Sequence, residues 1–395
     1  MISRALLCAL TTSGTVIAIM NAILVTPTHA ATPQPTKPAV TWTGRPEPVP
    51  IAFVYRDTAG DSAWTQSHEL ARKAVEAEFG ARVRTVVVER VATASDADKT
   101  FRDLAARGYK VFFATDPIHS DAAARVATAD YDVKVEQALG SRELINLRVY
   151  GIRHFEQAYL AGIIAAGNSS SSKLGFVAAA TTPGALAEIN AFTLGAQSVN
   201  PRATTQVIWT GSMSDAAADA RAAETLIKRG VDVLIATTDS TAVAQVAERR
   251  RKRVVGWHAD RSAVAPHAQV ATVALDWSPF YKTAVRESFD YLCTKTDTSR
   301  GYREGAIKVI GLANSLSRAS KTRLDFVQTQ LAKGEFEVFT GPVRSTTNTV
   351  MLAERAIGDE PWRKSMNVLV RGVTVLTRND GPKMRERPTA RLAVN

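Results

Sequence analysis

The stretch IAFVYRDTAGDSAWTQSHELARKAVEAE, residues 51–78, contains a strand, a polar loop and a helix in that order. Residues 51–55 form the short apolar run that is typical of a buried strand. Apolar residues then recur at helical spacing at positions 70, 71, 74, 75 and 77. The loop between them contains the turn residues Gly60 and Asp61. In an open parallel sheet such a loop lies at the carboxyl end of its strand, where ligands bind.

Two successive sets of strands and helices follow this stretch. The first set has short apolar strands at 85–88, 111–113, 133–136 and 147–150, with helices at 97–106 and 155–166. The second has strands at 174–178, 206–209, 233–236 and 254–256, with helices at 185–198, 216–228 and 243–248. Strands that alternate with helices indicate parallel sheets. The sequence therefore predicts an α/β fold with two doubly wound parallel-sheet lobes.

The later segments complete these lobes. We predict strands at 270–275, 307–310 and 336–339, and helices from 277 to about 292 and around 324–331. We expect residues 49–150 plus about 277–310 to form the first lobe, and 151–276 plus about 311–343 to form the second. Residues 344–395 read as a partly irregular C-terminal extension with one late strand within 368–375, and its last residues are expected to fray.

The N-terminus has the pattern of a secretory signal peptide. Arg4 is followed by apolar stretches, and Ala30 ends a small-x-small cleavage site. An uncleaved membrane anchor is the alternative. Cys8 lies too near the start to be a lipid-modified cysteine at the cleavage point. We therefore predict a periplasmic or secreted protein without a lipid anchor, in which residues 31–48 form a flexible leader. Removal of the signal peptide leaves Cys293 as the remaining cysteine, which excludes an internal disulfide.

The net charge of +11 and the pI of about 9.7 raise the question of nucleic-acid binding. Export argues against it, because an exported protein does not meet the genome. The densest basic run, residues 249–253, ends a predicted helix, where the helix dipole favours positive charge. We therefore predict no nucleic-acid partner.

Acidic side chains follow several predicted strands at the point where each strand ends. If the strands of each lobe are parallel, these side chains gather at one edge of each sheet, and two facing edges form a cleft for a small ligand. The alternative is that each carboxylate caps a helix or stabilises a turn. The residues are Asp61, Asp116, Asp239 and Asp260.

Motifs of known catalytic chemistry are not found in the sequence. It contains no GxSxG elbow, no HExxH and no phosphate-binding P-loop, and its histidines and cysteines lack metal-ligand spacing. His258, which lies in a loop with Asp260, is a better site candidate than His68 on a predicted helix. We therefore predict a protein that is not an enzyme and needs no cofactor. An exported hydrolase that uses Asp61 and Asp239 is the alternative from another class.

Several stretches together resemble the basic membrane protein family, the PnrA-like substrate-binding proteins of ABC transporters. They are GDSAWTQSHELARKAVE, HFEQAYLAGIIAA, LGFVAA, EINAFTLGAQSVNP, AAETLIKRGVDVLIATTDS, GWHAD, LDWSPFY and FEVFTGP. The resemblance runs from about residue 51 to residue 343. The resemblance implies two type I periplasmic-binding lobes joined by hinge crossings. Many members of the family bind purine nucleosides.

The resemblance also implies a set of ligand contacts. Asp61, Ser62 and Trp64 match the ligand loop of the first lobe, and Asp116 matches the carboxylate that holds the base. Asn190 matches a contact from the second lobe, and Asp239 lies in a loop that approaches the ligand.

Other positions depart from the family pattern. Met213 stands where the family often has a second stacking aromatic ring. His258 and Asp276 stand where nucleoside binders have an Asp and a Lys that hold the ribose. Trp257 and Trp277 resemble a branch suited to free bases. These departures favour a nucleobase over a nucleoside.

The resemblance implies the soluble, exported binding component of an ABC importer. We expect a monomer that closes around a purine and presents it to a membrane permease. The alternatives are a binder of another small polar ligand, a ligand sensor, the hydrolase named above, and a repressor. The repressor would need a helix-turn-helix module before the first strand, where this chain has its signal peptide.

Overall fold

The computed structural model describes residues 44–293 and 299–376. The predicted signal peptide, residues 31–43 of the leader and the chain from residue 377 lie outside the described residues. No described helix is both long enough and apolar enough to cross a membrane.

The helices and strands alternate along the chain as the sequence predicts. In chain order they are β1 (Val49–Val54), α1 (Ala63–Phe79), β2 (Val83–Val88), α2 (Ala94–Ala106), β3 (Val111–Ala114), α3 (Ser120–Ala129), β4 (Lys134–Ala138), β5 (Leu147–Ile152), α4 (His154–Gly167), β6 (Lys173–Ala178), α5 (Pro183–Gln197), β7 (Thr204–Trp209), α6 (Ala216–Lys228), β8 (Val233–Ala236), α7 (Ala242–Arg249), β9 (Arg253–His258), β10 (Gln269–Leu275), α8 (Ser278–Phe289), β11 (Ser299–Arg300), β12 (Ile307–Ile310), α9 (Arg318–Lys333), β13 (Val343–Arg344), β14 (Val350–Leu352), α10 (Glu360–Lys364) and β15 (Val373–Val375).

The strands form two large sheets, one in each lobe. The first has the order β11-β5-β4-β3-β1-β2 and is parallel. The second has the order β12-β10-β9-β8-β6-β7-β15, in which only β12 is antiparallel to its neighbour. Both contain the doubly wound order 2-1-3-4-5, counted from the first strand of each lobe. The predicted fold class is confirmed.

The opening stretch folds as its pattern predicts. The apolar residues of β1 are fully buried between the helices of the first lobe. The Ser62 side chain accepts a hydrogen bond from the Thr65 N–H, which satisfies a backbone donor that would otherwise have no partner at the start of α1. Gly80 ends the helix with a positive φ of 52°, a conformation that glycine adopts without steric cost. The loop before α1 is thereby held at the carboxyl edge of the sheet.

The helices α4 and α5 pack closely in the second lobe. Almost every residue of α4 after Phe155 is buried, which explains its nearly continuous apolar sequence. A Cβ atom at Gly162 would overlap the carbonyl oxygen of Phe192, and one at Gly195 would overlap that of Tyr159. The two glycines therefore allow the backbones of α4 and α5 to touch.

The described chain crosses between the lobes at three places. It passes from β5 to α4, from β10 to α8, and from β11 to β12. Helix α8 packs on α1 of the first lobe. Strand β12, predicted in the first lobe, instead pairs with β10 of the second, because residues 301–306 carry the chain back from the first lobe before β12 begins.

The chain after α9 packs on the second lobe. Residues 336–339, predicted as a strand, form none, although Val338 and Phe339 are buried. A hairpin of β13 and β14 and the short α10 follow, and β15 pairs with β7 at the edge of the second sheet. The Asn190 side chain donates to the carbonyl of Val368 at 2.9 Å and accepts from the Val370 N–H at 2.8 Å. This extension is therefore fixed to α5 and β7.

Candidate functional site

A cavity of about 470 Å³ lies between the carboxyl edges of the two sheets. The strand order reverses at one point in each sheet, between β1 and β3 in the first sheet and between β6 and β8 in the second. Such switch points are where open α/β sheets bind ligands, and the volume is in the range of small-molecule pockets. Both lobes contribute to its wall, which consists of Arg56, Trp64, Asp116, Pro117, Leu139, His154, residues 178–180, Thr182, Gly184, Ala185, Glu188, Met213, Thr237, Asp239, Trp257 and His258.

Two indole rings and two imidazoles form an aromatic wall, which we define as Trp64, His154, Trp257 and His258. The Trp64 ring lies 5.4 Å from the His258 ring and 6.1 Å from the His154 ring, measured between centroids. The Trp64 N–H donates a 2.8 Å hydrogen bond to the carbonyl oxygen of Thr115, just after β3. This bond fixes the orientation of the indole ring, which borders the cavity.

Gln157 determines which nitrogen of each imidazole carries the proton. Its Nε2 lies 2.6 Å from the carbonyl oxygen of Val273, so this atom is the amide nitrogen and donates. The same nitrogen lies 3.4 Å from Nδ1 of His258, which accepts. The amide oxygen lies 3.2 Å from Nδ1 of His154, which donates. Neutral His258 therefore carries its proton on Nε2, whereas Nε2 of His154 is an acceptor.

Both cavity imidazoles are neutral at physiological pH. Burial lowers the pKa of His154 to about 4. Burial, with smaller contributions from His154 and His68, also holds the pKa of His258 well below its ordinary value. His258 has a φ of 63°, in the left-handed region that non-glycine residues seldom adopt. The wall therefore offers one directed donor and one directed acceptor without positive charge.

Asp116 contributes a carboxylate from the first lobe. One of its oxygens accepts from the Ile118 N–H at 2.9 Å and caps the short 3-10 turn Pro117–His119. The other lies 3.9 Å from the Arg56 guanidinium. Because a carboxylate has about four acceptor sites, Asp116 keeps acceptor capacity for a ligand in the cavity.

Asp239 connects the second lobe to the first. Its Oδ1 accepts a 3.0 Å hydrogen bond from the Ser62 hydroxyl at the start of α1. Burial raises the pKa of Asp239 to about 6, although the hydrogen bond from Ser62 acts in the opposite direction. Ser62 thus lies at the edge of the cavity and contacts one of its lining residues.

Glu188 also lines the cavity, together with Gly184 and Ala185. The spacing of these three positions places them on one face of α5. Burial alone raises the pKa of the Glu188 carboxyl to about 8. A carboxyl group that is neutral at physiological pH can donate as well as accept.

Six of the residues expected to form the site line this cavity: Trp64, Asp116, Met213, Asp239, Trp257 and His258. Met213 is 37% exposed, so its thioether side chain can adjust to a ligand.

Two expected site residues instead stabilise surface turns. Asp61 is exposed and accepts from the Thr58 hydroxyl at 2.7 Å. Asp260 accepts from the Ser262 N–H at 3.0 Å and from the Gln269 amide at 2.9 Å. Neither carboxylate borders the cavity. Each stabilises a turn, which is the alternative given in the sequence analysis.

Three other expected residues also lie outside the cavity. The Asn190 side chain is buried against the extension described above. The Asp276 carboxylate accepts from the Ser278 N–H at 2.9 Å and pairs with Lys308 of β12. Trp277 is fully buried; its ring stacks on that of His68 at 5.0 Å, and its N–H donates to the Ser67 hydroxyl at 3.1 Å. The crossing carries Trp277 beneath α1 rather than toward the gap between the lobes.

Three ionisable cavity residues were not identified as site residues from the sequence: Arg56, His154 and Glu188. Arg56 directly follows β1, so the position rule applied to the acidic residues would have found it. His154 begins α4 where the chain first crosses between lobes. Glu188 lies one turn after Gly184 and Ala185 on the helix that follows β6, and this position could have identified it. Among the described residues, no group of three acidic, histidine or cysteine side chains could hold a metal ion.

Comparison with known proteins gives one consistent family. The model of the family described as ABC transporter substrate-binding protein, PnrA-like, matches residues 49–335. A purine-binding protein of Brucella abortus is 33% identical over 327 residues, which cover 83% of this chain and 93% of the relative. A protein of Haloferax volcanii named for glucose binding in an ABC transporter is 30% identical, with 75% of each chain covered.

A solved structure supports the architecture. The solute-binding protein of an ABC transporter system from Conexibacter woesei superposes with a TM-score of 0.63 at 21% identity. The superposition covers 73% of this chain and 98% of the other. At that identity the likeness extends to the fold alone.

Proposed function

This chain belongs to the PnrA-like family of ABC transporter substrate-binding proteins, and we propose that it binds a purine in the cavity between its lobes. The free base is preferred over the nucleoside. The cavity residues hold the ligand by stacking and directed hydrogen bonds and carry out no chemistry on it.

The aromatic wall beside a carboxylate is the observation that carries this proposal. Indole and imidazole rings pack against the flat faces of a purine. Asp116 accepts hydrogen bonds from ligand N–H groups, and the Nε2 atoms of His154 and His258 supply an acceptor and a donor. The purine-binding relative from Brucella abortus supports the same class of ligand.

The preference for a base rests on the two altered ribose positions. His258 is neutral and part of the aromatic wall, so it offers one hydrogen bond where a carboxylate would offer several. Asp276 lies outside the cavity and pairs with Lys308. A ribose would therefore lack the two charged contacts that the family resemblance assigns to nucleoside binders.

The cellular role follows from the family and the N-terminal pattern. The protein acts as a periplasmic or secreted monomer and delivers its ligand to an importing ABC permease. The signal-peptide pattern before residue 31 supports export.

A sugar is the second candidate, because the relative from Haloferax volcanii is named for glucose binding. Carboxylates such as Asp116 and Asp239 accept from hydroxyl groups as readily as from N–H groups. Stacking rings are compatible with both ligands, so direct competition decides between them.

Calorimetry with adenine, hypoxanthine, adenosine, inosine and glucose tests the proposal. We expect binding of a base, weaker binding of its nucleoside, and chromatography of the recovered ligand that shows it unaltered. Binding of glucose alone would favour the second candidate, and conversion of a ligand to product would reject a purely binding role. Mass spectrometry of any ligand released by mild denaturation provides an independent check.

A further inference from the structure

The Glu188 carboxyl is the one acidic group among the described cavity residues without a protein partner. Asp116 caps a turn and faces Arg56, and Asp239 accepts from Ser62. By contrast, Glu188 makes no hydrogen bond or ion pair within residues 44–293 and 299–376. Its side chain is only partly accessible, and that access is to the cavity. Both oxygens of the Glu188 carboxyl are therefore available to hydrogen-bond a ligand in the cavity.

Glu188 lines the same cavity as the aromatic wall. Its helix face also carries Gly184, which has no side chain, and Ala185, which has a small one, and both leave space in the cavity beside Glu188. The rest of the wall approaches from other elements: Trp64 and Asp116 from the first lobe, and Trp257 from the end of β9. A ligand that packs on the wall would therefore share the cavity with this face of α5.

We propose that Glu188 binds the ligand in its protonated form, through a pair of hydrogen bonds to an edge that offers one donor beside one acceptor. The acid O–H donates to a ring nitrogen, and the acid carbonyl accepts from the neighbouring amino group. The amino group and N7 of adenine form such an edge. This inference rests on the proposed purine-binding function and identifies the ligand chemistry that the second lobe recognises.

Charge around the site is consistent with a neutral acid. Burial raises the pKa of Glu188 to about 8, and no neighbouring charge contributes to the shift. Ionisable groups are nevertheless present on the cavity wall, on α4 and on α10, which packs on α5. They are Arg56, Asp116, His154, Asp239 and His258 on the wall, Glu156 on α4, and Glu360, Arg363 and Lys364 on α10.

The protonated acid predicts a specific pH dependence. Ionised Glu188 has lost its donor and can no longer form both hydrogen bonds. Affinity should therefore be highest below the pKa and decline as the pH rises through about 8. One unit above the pKa, roughly a tenth of the sites are neutral, so adenine should bind about tenfold more weakly than at neutral pH.

Calorimetry with adenine between about pH 6 and about pH 9 tests this on wild type, Glu188→Gln and Glu188→Met. Glutamine keeps a donor and an acceptor but does not ionise, so its affinity should fall less than that of the methionine variant and lose the alkaline decline. Methionine, of similar length but apolar, should bind about 5- to 150-fold more weakly at neutral pH. Ionisation of adenine itself affects all three proteins equally and cancels in the comparison.

The outcomes separate this inference from the proposed function. If wild type binds adenine and all three proteins have the same affinity and pH profile, Glu188 does not contact the ligand, although the purine site stands. If wild type binds no purine at any pH, both proposals are rejected. Melting temperatures identify a methionine variant that fails to fold, in which case the pH profiles of wild type and the glutamine variant still decide.

Discussion

The Ser62 hydroxyl donates a 3.0 Å hydrogen bond to Oδ1 of Asp239, and this bond joins the two lobes at the edge of the cavity. Ser62 also caps α1, so the same side chain orders the start of a helix and contacts the opposite lobe. Asp239 follows β8 at the switch point of the second sheet. The hydrogen bond therefore connects the start of α1 in the first lobe to the loop after β8 in the second lobe.

Asp239→Asn should stabilise the folded protein at pH 7 in the absence of ligand. Burial raises the pKa of Asp239 from its ordinary 3.8 to about 6, so the folded state disfavours the ionised form. That penalty is absent below the ordinary pKa, grows as the pH rises, and is complete above about 6. It corresponds to at most about 3 kcal/mol. Thermal unfolding should give a higher melting temperature for the variant at pH 7 and a smaller gain near pH 4. An asparagine variant that is less stable at pH 7 would show that the ionised carboxylate is needed.

Trp64→Ala should weaken purine binding by about 5- to 150-fold, from a stacking contribution of about 1–3 kcal/mol. The indole borders the cavity, and its N–H holds the Thr115 carbonyl. Trp64→Phe is the matched control, because it keeps a stacking ring and loses that hydrogen bond. Calorimetry and melting temperatures should be measured together. If the alanine variant melts earlier but binds purine like wild type, Trp64 has a structural role only.

Asn190→Ala should destabilise the protein by about 2–4 kcal/mol without changing the intrinsic affinity of the cavity. The substitution leaves the Val368 carbonyl and the Val370 N–H without their partner. Asn367→Ala is a suitable control, since Asn367 is an exposed asparagine of the same segment. Denaturant unfolding and calorimetry check the result. A large loss of affinity in a folded Asn190→Ala protein would return this residue to the ligand site.

Ligand binding should close the lobes by a hinge at the three crossings. Asp276, on the crossing from β10 to α8, pairs with Lys308 of β12. Arg153, on the crossing from β5 to α4, contacts Glu304, on the crossing from β11 to β12. Small-angle scattering should give a smaller radius of gyration at saturating purine than without it. An unchanged radius at saturation would contradict hinge closure.

The sequence predicts most of the fold because apolar runs and helical spacing report burial directly. The prediction fails where the apolar pattern of a segment does not match its secondary structure. Helix α3, SDAAARVATA, was not identified, since alanine gives little contrast between the two faces of a helix. Residues 336–339 have the apolar character of a strand, yet Phe339 is buried against Phe155 and Trp362 rather than in a sheet.

The site is predicted in part for a similar reason. Position after a strand locates Asp116 and Asp239 correctly at the cavity, because parallel strands end at one edge. The same rule cannot distinguish a side chain that enters the cavity from one that folds back into its own turn, as Asp61 and Asp260 do. The position of Trp277 can be predicted only if one knows which lobe the chain enters after β10, and this depends on the tertiary structure.

The anchoring of the C-terminal extension has a practical consequence for optical sensing. Because the extension is held to α5 and β7, we expect it to move with the second lobe. Its anchoring residues do not line the cavity. Ile357, on the extension, and Tyr131, on the first lobe, are both exposed. A fluorescent donor at one position and an acceptor at the other would convert lobe closure into a distance signal, and neither position lines the cavity. The extension thus offers an attachment point for a reagentless sensor of the bound molecule.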